Sequence, residues 1–220
     1  MRGMREIAVV MQLWRYPVKS LKRQPLAVAK VQFDGIAGDR EKALFVRSGH
    51  SRIEKTYRGK EHHLLHTLTS AKAVREQTAR NGVELELRSG ERYFDAAPIS
   101  IVVDTWLRQA ESLAGRELDP QRFRPNIFAR AEPTFDVSES SLVGNEISIG
   151  SVLLRVREPI KRCMTITYDV NSGEPDTGVL RSLTQARDNT MGIYCDVLIP
   201  GSIRVGQSIS TDGPLLRGED

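Results

Sequence analysis

Only 2 cysteines, Cys163 and Cys195, occur in 220 residues, too few for the disulfide frameworks of small secreted domains, so a reduced pair is expected. No run of about 18 apolar residues is present, which excludes a helix built to cross a bilayer. The start, Met1 to Arg5, lacks the apolar stretch of a secretory leader, and a cytoplasmic protein with no membrane partner is the expectation. Aromatics are 6% of the chain and are not interleaved with its cations, which argues against a nucleic-acid partner. Internal repeats and low-complexity linkers are also absent. With 40% apolar and 27% charged residues, a collagen-like, disordered or membrane-embedded chain is excluded, and a globular protein with a substantial core remains.

What the chain does have is an uneven distribution of charge. The first 110 residues hold 20 basic and 12 acidic side chains, and the remainder hold 12 and 16. A cationic N-terminal half suits an anion, whether nucleic acid, a phosphate-bearing cofactor or an acidic protein.

Short β-branched or alternating segments bounded by Pro or Gly predict strands at 6–14, 26–33, 42–47 and 83–88. Ser70 as a cap, good helix formers and Gly82 predict a helix over 70–81. A second helix is predicted from Pro98 to Gly115, on the spacing of Ile99, Val102, Val103, Trp106, Ala110 and Leu113. Strands at 126–130, 146–149, 152–157, 163–168, 192–199 and 202–209 then suit a β-barrel. The fold class is predominantly β with a few helices (α+β). A β-rich unit over 5–92 and a barrel over 93–211 are the expected divisions, on a Ser89-Gly90 turn, the charge reversal and the restart of a helix-bearing unit.

Several local patterns carry candidate chemistry. His62 and His66 stand at the i, i+4 spacing of zinc-binding helices, but His63 occupies the place of the required Glu, so the segment reads as a polar turn or a cluster facing an anion. Asp169 to Gly178 has the oxygens of a calcium loop without its sixth-position Gly or twelfth-position Glu, and reads as a turn between strands. Lys19, Arg40 and Arg124 each neighbour a Pro or Gly that pins the backbone and a hydrogen-bonding residue, Ser20, Asp39 and Asn126 respectively. A guanidinium held this way binds phosphate with two hydrogen bonds, while a lysine adds a point charge. Cys163 follows Lys161-Arg162, and positive charge stabilises thiolate, the form that acts as nucleophile or soft metal ligand. Cys195 sits in an apolar run and reads as core.

The ordered set Leu-Trp-x-Tyr-Pro-Val-Lys-Ser (13–20), Gly-Asp-Arg (38–40), Asp-x-x-Pro (95–98), Arg-Phe-Arg-Pro-Asn (122–126), Leu-Val-Gly (142–144), Arg-Cys (162–163) and Gly-Ile-Tyr with Gly-Ser-Ile-Arg-Val-Gly (192–206) resembles the MOSC proteins, the molybdenum cofactor sulfurase C-terminal domain family. The resemblance runs over about residues 6 to 209 and includes the family's β-rich N-terminal companion domain. It implies a barrel that binds molybdopterin, similar to the mitochondrial amidoxime reducing component and its bacterial relatives, which reduce N-hydroxylated compounds. Cys163 then takes the place of the family's molybdenum ligand. Lys19, Ser20, Arg40, Arg124, Asn126 and Arg162 take the cofactor-binding places, and Asp95 stands beside the metal with a role in proton handling. Two departures bear on substrate class, Ala96-Ala97 where some members carry hydroxyls and Lys161 where amidoxime-reducing members can carry Ser.

The resemblance further implies a small-molecule substrate and a separate electron-transfer protein of ferredoxin, flavoprotein or cytochrome type, since the four-cysteine iron–sulfur domain of some relatives is not expected here. Neither is the pyridoxal phosphate domain of the sulfurases, for which 220 residues leave no room. The competing reading is a carrier in which Cys163 holds sulfur or retains the cofactor for delivery.

Overall fold

The apolar alternation at the start of the chain becomes β1 (Arg5–Arg15), the strand on which a barrel closes. The computed structural model describes residues 4–58 and 61–212. After β1 come β2 (Gln24–Leu26), β3 (Val28–Gln32), β4 (Gly35–Ile36), β5 (Lys42–Ser48), α1 (Ala71–Arg80), β6 (Glu84–Ser89), β7 (Ile99–Val103) and α2 (Asp104–Ala114). The second half holds β8 (Ile127–Ala131), β9 (Glu146–Ile149), β10 (Val152–Lys161), α3 (Thr177–Arg187), β11 (Thr190–Ile199), β12 (Gly201–Arg204) and β13 (Ser208–Thr211). The class is α+β, mostly β, as the sequence implied.

Seven strands form the barrel in the order β13, β9, β10, β11, β7, β8, β1, with β1 returning to β13. Closure leaves no open edge among them. The sole parallel pair among these described strands is β7 with β8, and parallel neighbours need a crossover, which α2 supplies. Its Trp106, Leu107 and Ala110 are buried, and the Trp106 indole N–H donates to the Val137 carbonyl at 2.9 Å. Inside, Leu13, Ile101, Ile127, Leu154 and Ile193 belong to one continuous core. Fully burying each such side chain is worth about 1.5–3 kcal/mol. A second cluster, Leu21, Leu44, Val46, Leu65, Val74 and Leu85 among its members, packs around β5, β6 and α1. The barrel thus draws strands from either side of residue 92.

Three local expectations are corrected. Ile99–Val103 is a strand, and the helix begins only at Asp104. All five strand residues are buried, because β7 runs between β11 and β8 with both faces covered, and a continuous β-branched run satisfies that place better than a helix with one buried stripe. The segment 163–168 is not a strand either. Met164–Thr167 makes a 3-10 turn, closed by the Thr167 hydroxyl donating to the Met164 carbonyl at 2.7 Å, a local bond that competes with sheet pairing. Finally, 169–178 does not join two strands. Its first part is a turn in which Asp169 Oδ1 accepts the Asn171 and Ser172 amides, each at 2.9 Å, but Asp176 caps α3 by accepting the Gly178 amide at 3.1 Å. Val179 and Leu183, one turn apart on α3, are buried. That stripe was visible in the sequence, masked by Gly178 and by turn-forming residues before it.

Cys195 lies in the core as expected, and burial pushes its thiol well above the ordinary value. Gly192 has φ +84, and a Cβ there would meet the Ile101 carbonyl oxygen at 2.7 Å. Only glycine permits this close approach. It seats β11 on β7 so that Tyr194 lies opposite Ser100 and, on the other side, opposite Glu158.

Candidate functional site

A cavity of about 380 Å³ gathers residues from segments far apart in the chain. Its size falls within the range of small-molecule sites. Lys19, Ser20, Arg40, Asp95, Arg124, Arg162 and Cys163 all line it, so seven of the eight residues singled out in the sequence meet at one place. Asn126 does not line it. Its buried side chain is committed to protein, accepting from the Ser100 amide at 3.1 Å and hydroxyl at 3.0 Å while donating to the Trp14 carbonyl at 3.3 Å.

The cationic wall is built on strained backbone. Six non-glycine residues among those described have positive φ, and three of them are Ser20 (71°), Arg40 (49°) and Arg124 (49°). Such residues are uncommon and persist where surrounding structure holds them. Ser20 follows the point where Val18 bridges to Lys42 and the Lys19 amide donates to the Lys42 carbonyl at 2.8 Å. Arg124 ends the 3-10 turn Pro120–Phe123, whose cap Asp119 accepts the Gln121 amide at 2.8 Å.

Both arginines pack on the buried Tyr16 ring, with the Arg40 guanidinium 4.7 Å and that of Arg124 4.2 Å from its centroid. The negative face of an aromatic ring offsets part of the cost of holding both cations. Buried Asp39 supplies the counter-charge, accepting the Tyr16 amide at 2.6 Å and an Arg40 N–H at 2.5 Å. Burial alone would weaken the hold of Arg40 on its proton, and Asp39 reverses that. Burial pushes Arg124 down to about 10, with the Tyr16 and Arg40 charges acting in opposite directions. It remains a cation at neutral pH. Burial likewise pushes the Tyr16 phenol up to about 12, against both arginines, and its hydroxyl donates to the Pro125 carbonyl at 3.1 Å.

At the mouth, Lys19 Nζ donates to Asp95 Oδ1 at 2.5 Å, and the aspartate side chain is 68% exposed. Partial desolvation works against its charge, and Lys19, aided by Arg40, outweighs it, so the carboxyl lies below its ordinary value. Asp95 is therefore ionised and tied to Lys19, and a proton-handling role requires that pair to open. Arg162 spends its guanidinium on carbonyls, those of Met191 (2.8 and 2.5 Å) and Phe123 (2.8 Å), joining β10, β11 and the Pro120–Phe123 turn. Burial pushes it down to about 10. The next residue, Cys163, is exposed, and its thiol donates to the Thr165 hydroxyl at 3.4 Å. The cationic wall and this thiol share one cavity.

Sequence reasoning missed Arg58, Ser100, Glu158 and Tyr194 as lining residues. Arg58 carried the signal used elsewhere, a cation beside a glycine. Tyr194 was grouped with an apolar run, although strand alternation sends it to the face opposite Cys195. His66 was noted for a metal pattern and lies instead in the cationic wall, buried, with Nδ1 2.9 Å from the Ser20 carbonyl oxygen. Among the described residues, no group of three or more His, Cys, Asp or Glu could hold a metal ion.

Burial and the charge of Arg124 push His66 down to about 3, against the bond to Ser20. The folded value is depressed, so its contribution to stability is present above the unfolded value near 6.5 and is lost as pH falls toward 3. Moving from about pH 7.5 to about pH 5 should cost the wild type about 2 kcal/mol through this residue. Urea unfolding at both pH values, compared with His66→Asn, checks it. An acid limb of equal steepness in the two proteins sinks the assignment.

The MOSC domain family profile matches residues 70–210. No curated protein matches the sequence. Among solved structures, the YuaD protein of Bacillus subtilis superimposes with a TM-score of 0.58 at 17% identity, over 95% of this chain and 98% of that one. YiiM of Escherichia coli gives 0.48 at 11% identity over 98% and 73% of the respective chains, and YiiM of Geobacillus stearothermophilus gives 0.41 at 19% over 52% and 54%.

Proposed function

The chain belongs to the MOSC domain family, and from that premise we propose that its cavity holds a molybdenum cofactor and reduces small N-hydroxylated compounds. One observation carries the reading: several cations on rigid, strained backbone share a cavity with a single accessible thiol. The donor set fits such a group. The protein offers one soft ligand, so the metal must bring most of its own, as the dithiolene of a pterin does. Lys19, Arg40 and Arg124, with the Ser20 hydroxyl, would receive its phosphate, and Cys163 would be the protein ligand. When bound, the group supplies two-electron redox chemistry at molybdenum.

The chain's own residues do the rest. Asp39 and Tyr16 keep Arg40 and Arg124 in place without rearrangement, which is the condition for tight anion binding. Reduction of an N–O bond consumes two electrons and two protons and releases water, so R–NHOH becomes R–NH2. Asp95, exposed at the mouth and hydrogen-bonded to Lys19 Nζ, would relay these protons from solvent once that pair opens. The electrons come from a separate electron-transfer protein. Exposure of Cys163 also favours a second reading, a carrier that retains the cofactor or sulfur for delivery.

Protein made in a cofactor-competent host should contain molybdenum near one atom per chain and convert an amidoxime to its amidine with reduced viologen as donor. Absence of molybdenum overturns the cofactor reading. Molybdenum without turnover favours the carrier.

A further inference from the structure

The imidazole of His66 has two neighbours competing for one nitrogen. Its Nδ1 lies 2.9 Å from the Ser20 carbonyl oxygen and 3.2 Å from Arg124 Nη1. A carbonyl oxygen has only lone pairs, so at 2.9 Å the hydrogen between it and Nδ1 must belong to the ring. The Nδ1 lone pair is then unavailable, and the Arg124 Nη1 hydrogens are not spent on His66. The bond that remains to this guanidinium runs from Nη2 to the Leu21 carbonyl at 3.0 Å. Two successive carbonyls of the strained turn, Ser20 and Leu21, are thus held by His66 and Arg124 respectively.

On the far side of the ring, Nε2 carries a lone pair. It is buried without a hydrogen-bond partner among the described residues, and so is Gln121 Oε1. Both residues line one small cavity of about 10 Å³, walled also by Arg23, Arg122, Arg124 and Tyr168. That is about the space one water needs. Two buried acceptors with cations around them match its chemistry: each O–H donates to one acceptor, and the oxygen faces the positive wall.

We propose that His66 is a positioning residue of the anion site: its Nδ1–H holds the left-handed turn carrying Lys19 and Ser20 and leaves Arg124 Nη1 for the anion, while a buried water shared with Gln121 Oε1 keeps the ring in that tautomer. The inference rests on reading the cavity as an anion site. Depression of the His66 pKa supports it, since an uncharged ring is what one donor and one acceptor nitrogen require.

Nitrogen-15 spectra of the wild-type rings should show His66 with a protonated Nδ1 and a bare Nε2 from about pH 5 to about pH 8. A protonated Nε2 anywhere in that range overturns the proposal. Titration with inorganic phosphate gives the second readout. His66→Leu should bind it roughly tenfold more weakly. His66→Asn, whose amide nitrogen can stand near the position of Nδ1, should recover to within about threefold. Wild-type affinity in the leucine variant, or no rescue by asparagine, overturns the positioning role.

Arg124→Gln separates the two levels. Weakened phosphate binding there, with full binding in His66→Leu, defeats only the role of His66, whereas full binding in both defeats the anion-site reading. Should His66→Leu fail to fold, the wild-type tautomer and the asparagine variant decide.

Discussion

Cys163→Ala should lose molybdenum at least about a hundredfold more readily than the wild type, with turnover falling in step and the melting temperature unchanged. Outer partners of metal ligands already cost roughly 10–100-fold when removed, and a direct ligand exceeds them. The fold has little to lose, because the side chain is exposed and makes one long bond, to the Thr165 hydroxyl at 3.4 Å. Exposed substitutions of this kind stay within about 0.5 kcal/mol. Metal analysis after gel filtration, paired with thermal unfolding, reads both quantities. A variant that keeps molybdenum and activity at wild-type levels removes Cys163 as ligand. A variant that loses metal together with its fold removes the claim that the residue serves only the site. Cys195→Ala is the useful contrast, since that thiol is fully buried in the barrel core and its loss should lower stability without touching the cavity.

Asp39→Ala should destabilise the protein by about 3–5 kcal/mol, the cost of leaving a buried cation unpaired. The carboxylate serves two groups at once, the Tyr16 amide at 2.6 Å and Arg40 at 2.5 Å. Without it, Arg40 and Arg124, both packed on the Tyr16 ring, lose their nearest buried counter-charge, and a buried amide loses its acceptor. Against a typical total of about 5–15 kcal/mol, such a loss is severe. Asp39→Asn keeps an oxygen for the Tyr16 amide and should recover part of it. Urea unfolding of the three proteins provides the comparison. A loss below about 1 kcal/mol for alanine would show that the arginines are held by the ring and by carbonyls, and that the carboxylate is incidental. Unlike Cys163→Ala, this change strikes fold and site together, because the counter-charge of the cationic wall is also part of the packing.

The two substitutions mark a division that runs through the sequence reading as well. Lys19, Ser20, Arg40 and Arg124 could be picked out because each stands beside a Pro, a Gly or a hydrogen-bonding neighbour, a feature of a few consecutive residues. Asn126 met the same criterion, yet its amide is consumed by Ser100 and Trp14, residues 26 and 112 positions away. No local pattern announces such a partner. The helix expected from Pro98 failed for a related reason. Ile99, Val102 and Val103 fit a helical stripe and a buried strand equally well, and the burial of both faces of β7 decided between them. His66 was noticed for its spacing to His62, whereas its role comes from Ser20 and Arg124.

The sequence by itself determined the class of the fold, the type of most of its elements and the residues able to carry charge, sulfur or a turn. These follow from side-chain chemistry and from periodicities of 2 and 3.6 residues, which act over a few positions. Only the tertiary structure decided that Lys19, Arg40, Arg124 and Cys163 share one cavity. Their meeting depends on β1 closing against β8 and β13 and on the register of β10, β11 and β7. A slip of one residue of β10 against β11 would turn Glu158 to the face opposite Tyr194. That register is set by burying whole strands at once, a free energy that belongs to the closed barrel and to no segment of the chain alone.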